Sequence, residues 1–188
     1  MSTAVRDEGD KKSGKGLSHG MVSEVSAFFK IKEGHTDAMI EACRRFNEKL
    51  RNGSPEMIQS FGLTDMRHVV FDNGTRLAWM TSFESDWKPY INDSVNTMGL
   101  ETWFDWFQHC EECPDNFLDF NNDELRKFIQ AAQQPAAGLF RSNADLTLAQ
   151  VRKGQRLQKA FDQLLDQPDA EAALAQPVLK PLLDEAAD

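Results

Sequence analysis

The chain has too little cysteine for a disulfide framework. Its three cysteines, at positions 43, 110 and 113, are too few and too unevenly spaced to staple a small fold. It also lacks a basic excess. Twenty-one Lys and Arg stand against 30 Asp and Glu, a formal charge of −9, which argues against a nucleic-acid binder that works by neutralising phosphates. No apolar run approaches the roughly 18 residues of a membrane span. There is no P-loop, no GxGxxG after a strand, no nucleophile elbow and no HExxH, so kinases, dinucleotide dehydrogenases, α/β-hydrolases and zincin proteases are poor candidates. What remains is 188 residues, 40% apolar and 27% charged, the mix of an ordinary globular domain with a tail or two.

Residues 1–20 hold almost nothing to bury and are expected to form a disordered leader. They lack the apolar core of a secretory signal, and Asp7, Glu8 and Asp10 argue against a transit peptide. The expected location is therefore the cytoplasm. His19, within this stretch, is expected to be a solvated residue. A domain is expected over 21–142 and a helical extension over 143–188.

The alternation in 22–32 predicts a strand with Val25, Ala27, Phe29 and Ile31 on one face. Phe28 points the other way, so the second face also needs cover, which another subunit would supply. A helix follows, with Thr36 as its N-cap, Met39, Cys43, Phe46 and Leu50 on its apolar stripe and Gly53 as its stop. Cys43 reads as a buried thiol that packs as a small hydrophobe. After a loop at Ser54 and Pro55, residues 66–71 and 76–83 flank Asp72-Asn73-Gly74, a strong hairpin signal. Asp86 caps a helix through Trp87, Tyr90 and Ile91. Leu100, Trp103, Phe104, Phe107 and Cys110 recur at helical spacing, and Trp106 widens the stripe. A further helix at 121–134 takes Asn122 or Asp123 as its cap, and 136–141 is the candidate final strand. Beyond 142, Leu148, Val151, Leu157, Phe161 and Leu164 line one side of a helix that Pro168 ends. These C-terminal helices could pack on their own domain or on a protein partner.

The order β-α-β-β-α-β predicts an α+β fold of ferredoxin-like arrangement, with helices on one face of the sheet. An apolar open face is an interaction surface, and a symmetric homodimer closing two sheets face to face is the natural solution.

Two stretches carry a family resemblance. The strand-turn-helix at 28–46, with its Lys32-Glu33-Gly34 turn, resembles the opening unit of the dimeric α+β barrel superfamily. There an apolar strand ends in Lys-Pro-Gly or Lys-Glu-Gly before a helix. The phrase TRLAWMTSFESDWKPYINDSV at 75–95 is similar to a strand-to-helix segment of uncharacterised members. Antibiotic-biosynthesis-type monooxygenases, haem-degrading monooxygenases, chlorite dismutases and dye-decolorising peroxidases share this unit. The resemblance covers about 22–142. It implies a dimeric barrel and allows a haem cofactor and oxidative chemistry of the monooxygenase or peroxidase kind. The chain lacks the GxxDG motif of the dye-decolorising peroxidases, and no aligned motif fixes the Asn or His that haem-degrading members place on the sheet or the helix over it.

Candidate site residues follow from residue type. If Met66, His68 and Val70 face the open side, His68 lines a cavity in the expected barrel, as a haem ligand or general base. Its plainer reading is a histidine hydrogen-bonded at a dimer interface. Four tryptophans fall within 28 residues. Trp79, Phe83, Trp87, Tyr90, Trp103 and Phe107 are therefore candidates to line a cavity for a flat apolar ligand, although aromatic stripes are more often core. Cys110 and Cys113 form a CxxC. With no second CxxC a structural zinc site is incomplete, and the two glutamates between them would raise a thiol pKa. The pair is therefore either structural or a redox disulfide. His35 reads as a surface turn residue. No metal site is expected. Two functions stay open, an oxidative enzyme acting on an apolar or haem-like ligand and a non-catalytic interaction module.

Overall fold

The computed structural model describes residues 14–186 and divides the chain into two compact units, one up to Leu148 and one from Ala149. Residues 1–13 of the expected leader lie outside the described residues. Within the remainder of that stretch, Ser18–His19 (β1) turns back at Gly20 and pairs with Val22 and Ser23. The sheet thus begins inside the segment read as leader. His19 is not simply solvated, because its Nδ1 accepts the Arg141 amide at 3.1 Å.

The first unit is built on Val22–Lys30 (β2), Leu63–Phe71 (β3) and Arg76–Phe83 (β4), all antiparallel. The spatial order is β1-β2-β4-β3, and Gln133–Gln134 (β5) pairs the outer side of β2. This is the ferredoxin-like α+β arrangement expected from the element order. The final strand is Gln133–Gln134 and not 136–141. It directly follows the helix that ends at Ala132, buries Gln133 against Ala27, and stops at Pro135, which has no amide to donate to a ladder.

Thr36–Arg51 (α1), Trp87–Met98 (α3), Leu100–Phe107 (α4) and Asn122–Ala132 (α5) cover one face of the sheet. Their buried residues, among them Met39, Phe46, Ile91, Trp106 and Ile129, close on Val25, Ala27, Phe29, Leu77, Trp79 and Phe83. A short helix, Pro55–Ser60 (α2), replaces the loop read at Ser54, whose hydroxyl accepts the Met57 amide. Two caps differ from expectation. His35 and not Thr36 precedes α1, because the Thr36 hydroxyl donates to the Gly74 carbonyl. Asn121 and not Asn122 or Asp123 caps α5, because only Asn121 completes a capping box with Glu124 three residues on.

The opposite sheet face carries Ser26, Phe28, Arg67, Val69, Phe71, Arg76, Ala78 and Met80, since directly opposed residues of an antiparallel pair share a face. The second unit, described by itself, holds Leu148–Leu165 (α6) from its second residue, Ala170–Leu174 (α7) and Lys180–Ala186 (α8). No helix among the described residues is long and apolar enough to cross a membrane.

Candidate functional site

His68 lies on the helix-covered face, not the open one. Its register partner is Trp79, as Val70 pairs Leu77 and Met66 pairs Thr81. That parity directs all three side chains toward the helices. The Asn47 amide nitrogen lies 2.7 Å from the Cys43 carbonyl, an acceptor only, which fixes the amide's orientation. The same nitrogen lies 3.1 Å from His68 Nδ1. Nδ1 therefore accepts, and the neutral ring carries its proton on Nε2. Nε2 is buried without a hydrogen-bond partner, and the ring stands edge-on to Phe46 and Trp106 at 5.6 and 5.1 Å. Burial pulls the His68 pKa down to about 4. A haem iron needs an open imidazole nitrogen. Here one nitrogen is taken by Asn47 and the other is enclosed, so haem does not fit at His68.

The six rings read as a ligand cavity pack against one another. Phe83 stacks on Tyr90 at 4.2 Å, Trp79 meets Trp103 at 5.5 Å, Trp103 meets Phe107 at 6.0 Å and Phe83 meets Trp87 at 6.5 Å. A flat guest between two rings needs about 7 Å, two contacts of about 3.5 Å each. These rings are core. The Tyr90 hydroxyl is satisfied by Thr81 at 2.9 Å.

The three cysteines are free. Cys110 and Cys113 span a turn closed by the Cys113 amide on the Cys110 carbonyl at 3.2 Å. Burial and then the Glu112 charge push the Cys110 thiol up, and burial pushes Cys113 up to about 11. Neither is an activated nucleophile at neutral pH. Next to this turn His35 and His109 meet through their Nδ1 atoms at 3.0 Å, so one ring donates and the other accepts. Burial, then His35 itself, lowers the His109 pKa. Lys32 ties the same junction, donating from Nζ to the Gln108 carbonyl and from its amide to that of His109. His35 is thus a tether between the start of α1 and the end of α4. Its sequence neighbours gave no sign of a partner 74 residues away. Among the described residues no group of three or more His, Cys, Asp and Glu side chains is placed to hold a metal ion.

The open face offers a different site. A cleft of about 710 Å³ runs over the outer edge of β2, lined chiefly by Phe28, Phe71, Arg76, Glu112, Phe128 and Gln134. That volume suits a small molecule. Phe28 and Phe71 meet edge to face at 6.2 Å, and the Arg76 guanidinium lies 5.1 Å over the Phe71 ring. Phe128 enters from α5, where it stacks on Phe29 at 5.9 Å. Glu112 is held in place by the Lys30 amide, which lies 3.1 and 3.2 Å from its two oxygens. Of these residues only Phe28 stood out in the sequence, as an apolar residue on the wrong side of its strand.

No protein-family model matches the chain. No curated protein matches it either. Among solved structures the chain is similar to one described as a "Putative antibiotic biosynthesis monooxygenase from Nitrosomonas europaea", at 15% identity and a TM-score of 0.34, over 50% of this chain and 79% of that one.

Proposed function

We propose that the protein is a homodimer that binds a small, flat, apolar molecule in the open-face cleft, with the partner's sheet as the roof. The observation that carries this reading is a cavity of about 710 Å³ across the β2 edge, lined by Phe28 and Phe71 of the free sheet face and by Phe128 of α5. Ligand pockets are largely apolar and aromatic, with a few polar groups at the rim, and Arg76, Glu112 and Gln134 supply those. Dimer closure is supported by the apolar groups on that face, Val69 (42% exposed) and Phe28 among them. Oxidative turnover of the ligand rests on the superfamily resemblance of 28–46 and 75–95.

A non-catalytic role is favoured by a separate observation. The cleft's one carboxylate, Glu112, is engaged by the Lys30 amide, and His68 faces the other side of the sheet.

The test pairs mass in solution with titration of a neutral, polarity-sensitive naphthalene dye. The expected result is a particle of twice the 21.3 kDa chain mass and saturable dye binding that weakens about tenfold or more in Phe28→Asp, a loss of about 1.4 kcal/mol. A monomer overturns the dimer. Dye that fails to saturate, or that ignores Phe28→Asp, overturns the cleft.

A further inference from the structure

We infer that the cleft is selective for a planar aromatic molecule bearing one carboxylate, with Arg76 as its anion anchor. This rests on the reading of the cleft as a ligand site and adds the ligand's charge.

The first observation is the state of Arg76. It makes no ion pair among the described residues, and its guanidinium is held over the Phe71 ring at 5.1 Å. A cation–π contact leaves the guanidinium N–H donors unused, so they stay available for a carboxylate. The second is its cross-strand neighbour. Lys30 stands directly opposite Arg76 in the β2–β4 register. Like charges directly opposed on one sheet face are unfavourable unless an anion relieves them. Glu111 relieves Lys30, at 3.8 Å between exposed groups. Nothing comparable reaches Arg76.

Glu112 sets the upper limit on ligand charge. It lines the same cleft, and the Lys30 amide holds its carboxylate there. A dianion such as a phosphate monoester would meet one free cation and one fixed anion. A carboxylate brings a single charge and matches one guanidinium. The chain's net charge of −9 does not overrule this local arrangement, because charges beyond about 8 Å are largely screened at physiological salt. The apolar body of the ligand then lies against Phe28, Phe71 and Phe128, where stacking adds to area burial.

The experiment displaces the neutral naphthalene dye from the full chain with 2-naphthoate, 2-naphthamide and 2-naphthyl phosphate. The acid is expected to compete about tenfold or better than the amide, and better than the phosphate. Arg76→Gln is expected to erase that preference, acid and amide then competing equally for the dye the variant binds, and its urea unfolding shows that it is folded. Arg76→Lys is expected to keep part of it. Acid and amide competing equally, or a preference that survives Arg76→Gln, overturns the carboxylate inference and leaves the cleft standing. A phosphate that outcompetes the acid also overturns it. Dye that never binds the native chain overturns the cleft, and the inference with it.

Discussion

Acid should destabilise this protein through His68 by a calculable amount. The ring is neutral in the fold, with Nδ1 accepting from Asn47 and Nε2 enclosed beside Phe46 and Trp106. Its pKa is held down to about 4 by burial, against about 6.5 in an unfolded chain. Between those values the unfolded state binds a proton that the native state does not, so stability rises with pH. The contribution is complete above about pH 6.5 and is lost as pH falls toward 4. The factor at pH 5.0 is (1 + 10^1.5)/(1 + 10^−1.0), or about 30. At about 1.4 kcal/mol per decade that is about 2 kcal/mol relative to pH 7.5.

The measurement is urea unfolding followed by tryptophan fluorescence from pH 7.5 to 4.5, on the native chain and on His68→Asn. Asparagine keeps an acceptor for Asn47 and cannot titrate. Every other acid-sensitive group, His109 included, is common to both proteins and cancels. The gap between the two stabilities should narrow by about 2 kcal/mol on going to pH 5.0. Nitrogen shifts of His68 should show Nε2 protonated and Nδ1 bare. Parallel curves, or a His68 ring that titrates near its ordinary value, would refute the reading of His68 as held neutral.

Two further outcomes follow from the same packing. Burial raises Cys43 to about 12 and Cys113 to about 11, so disulfide-exchange reagents at pH 8 should label the native chain about 20-fold more slowly than free cysteine, the scarcer thiolate being partly offset by its greater nucleophilicity, and a fast thiol would contradict that. Gly74 sits at φ +84° with a Cβ position 2.9 Å from Thr36 Cγ2, so Gly74→Ala should cost about 1–2 kcal/mol in urea unfolding, and an unchanged midpoint would refute the strain.

The regular elements that build the core were legible because they bury one side. Val25, Ala27 and Phe29 alternate, and Met39, Cys43 and Phe46 recur at helical spacing, for that reason alone. What periodicity does not encode is separation. It marks Trp79, Trp103 and Phe107 as buried but is silent on whether their rings touch or part around a guest. Parity was the other blind spot. The face His68 occupies is set by its pairing with Trp79 and by the irregular register between Leu63 and Asp65, and both are properties of the assembled sheet. Pairs such as Asn47 with His68 and His35 with His109 depend on tertiary docking and leave no local mark.

The candidate site is hidden in the sequence for a related reason: it is made by a strand that stops early. β5 covers only Ser26 and Ala27 on the outer side of β2, and the next contact along that edge is the turn at Cys110 to Glu112, which takes Ile31 and the Lys30 amide. Phe28 lies between the two, on an edge that no strand among the described residues extends. Had β5 been as long as β2, it would have run across this gap. Two glutamines followed by Pro135 end the pairing instead, and the turn carrying Glu112 pins the far side. An uncovered edge invites pairing with another chain unless it is blocked. Here the gap is short, walled by Phe128 and flanked by Arg76, so it offers a strand too little length to pair and offers a flat small molecule three aromatic surfaces. The irregularity that defeated the strand prediction is therefore the feature that gives the open face a pocket.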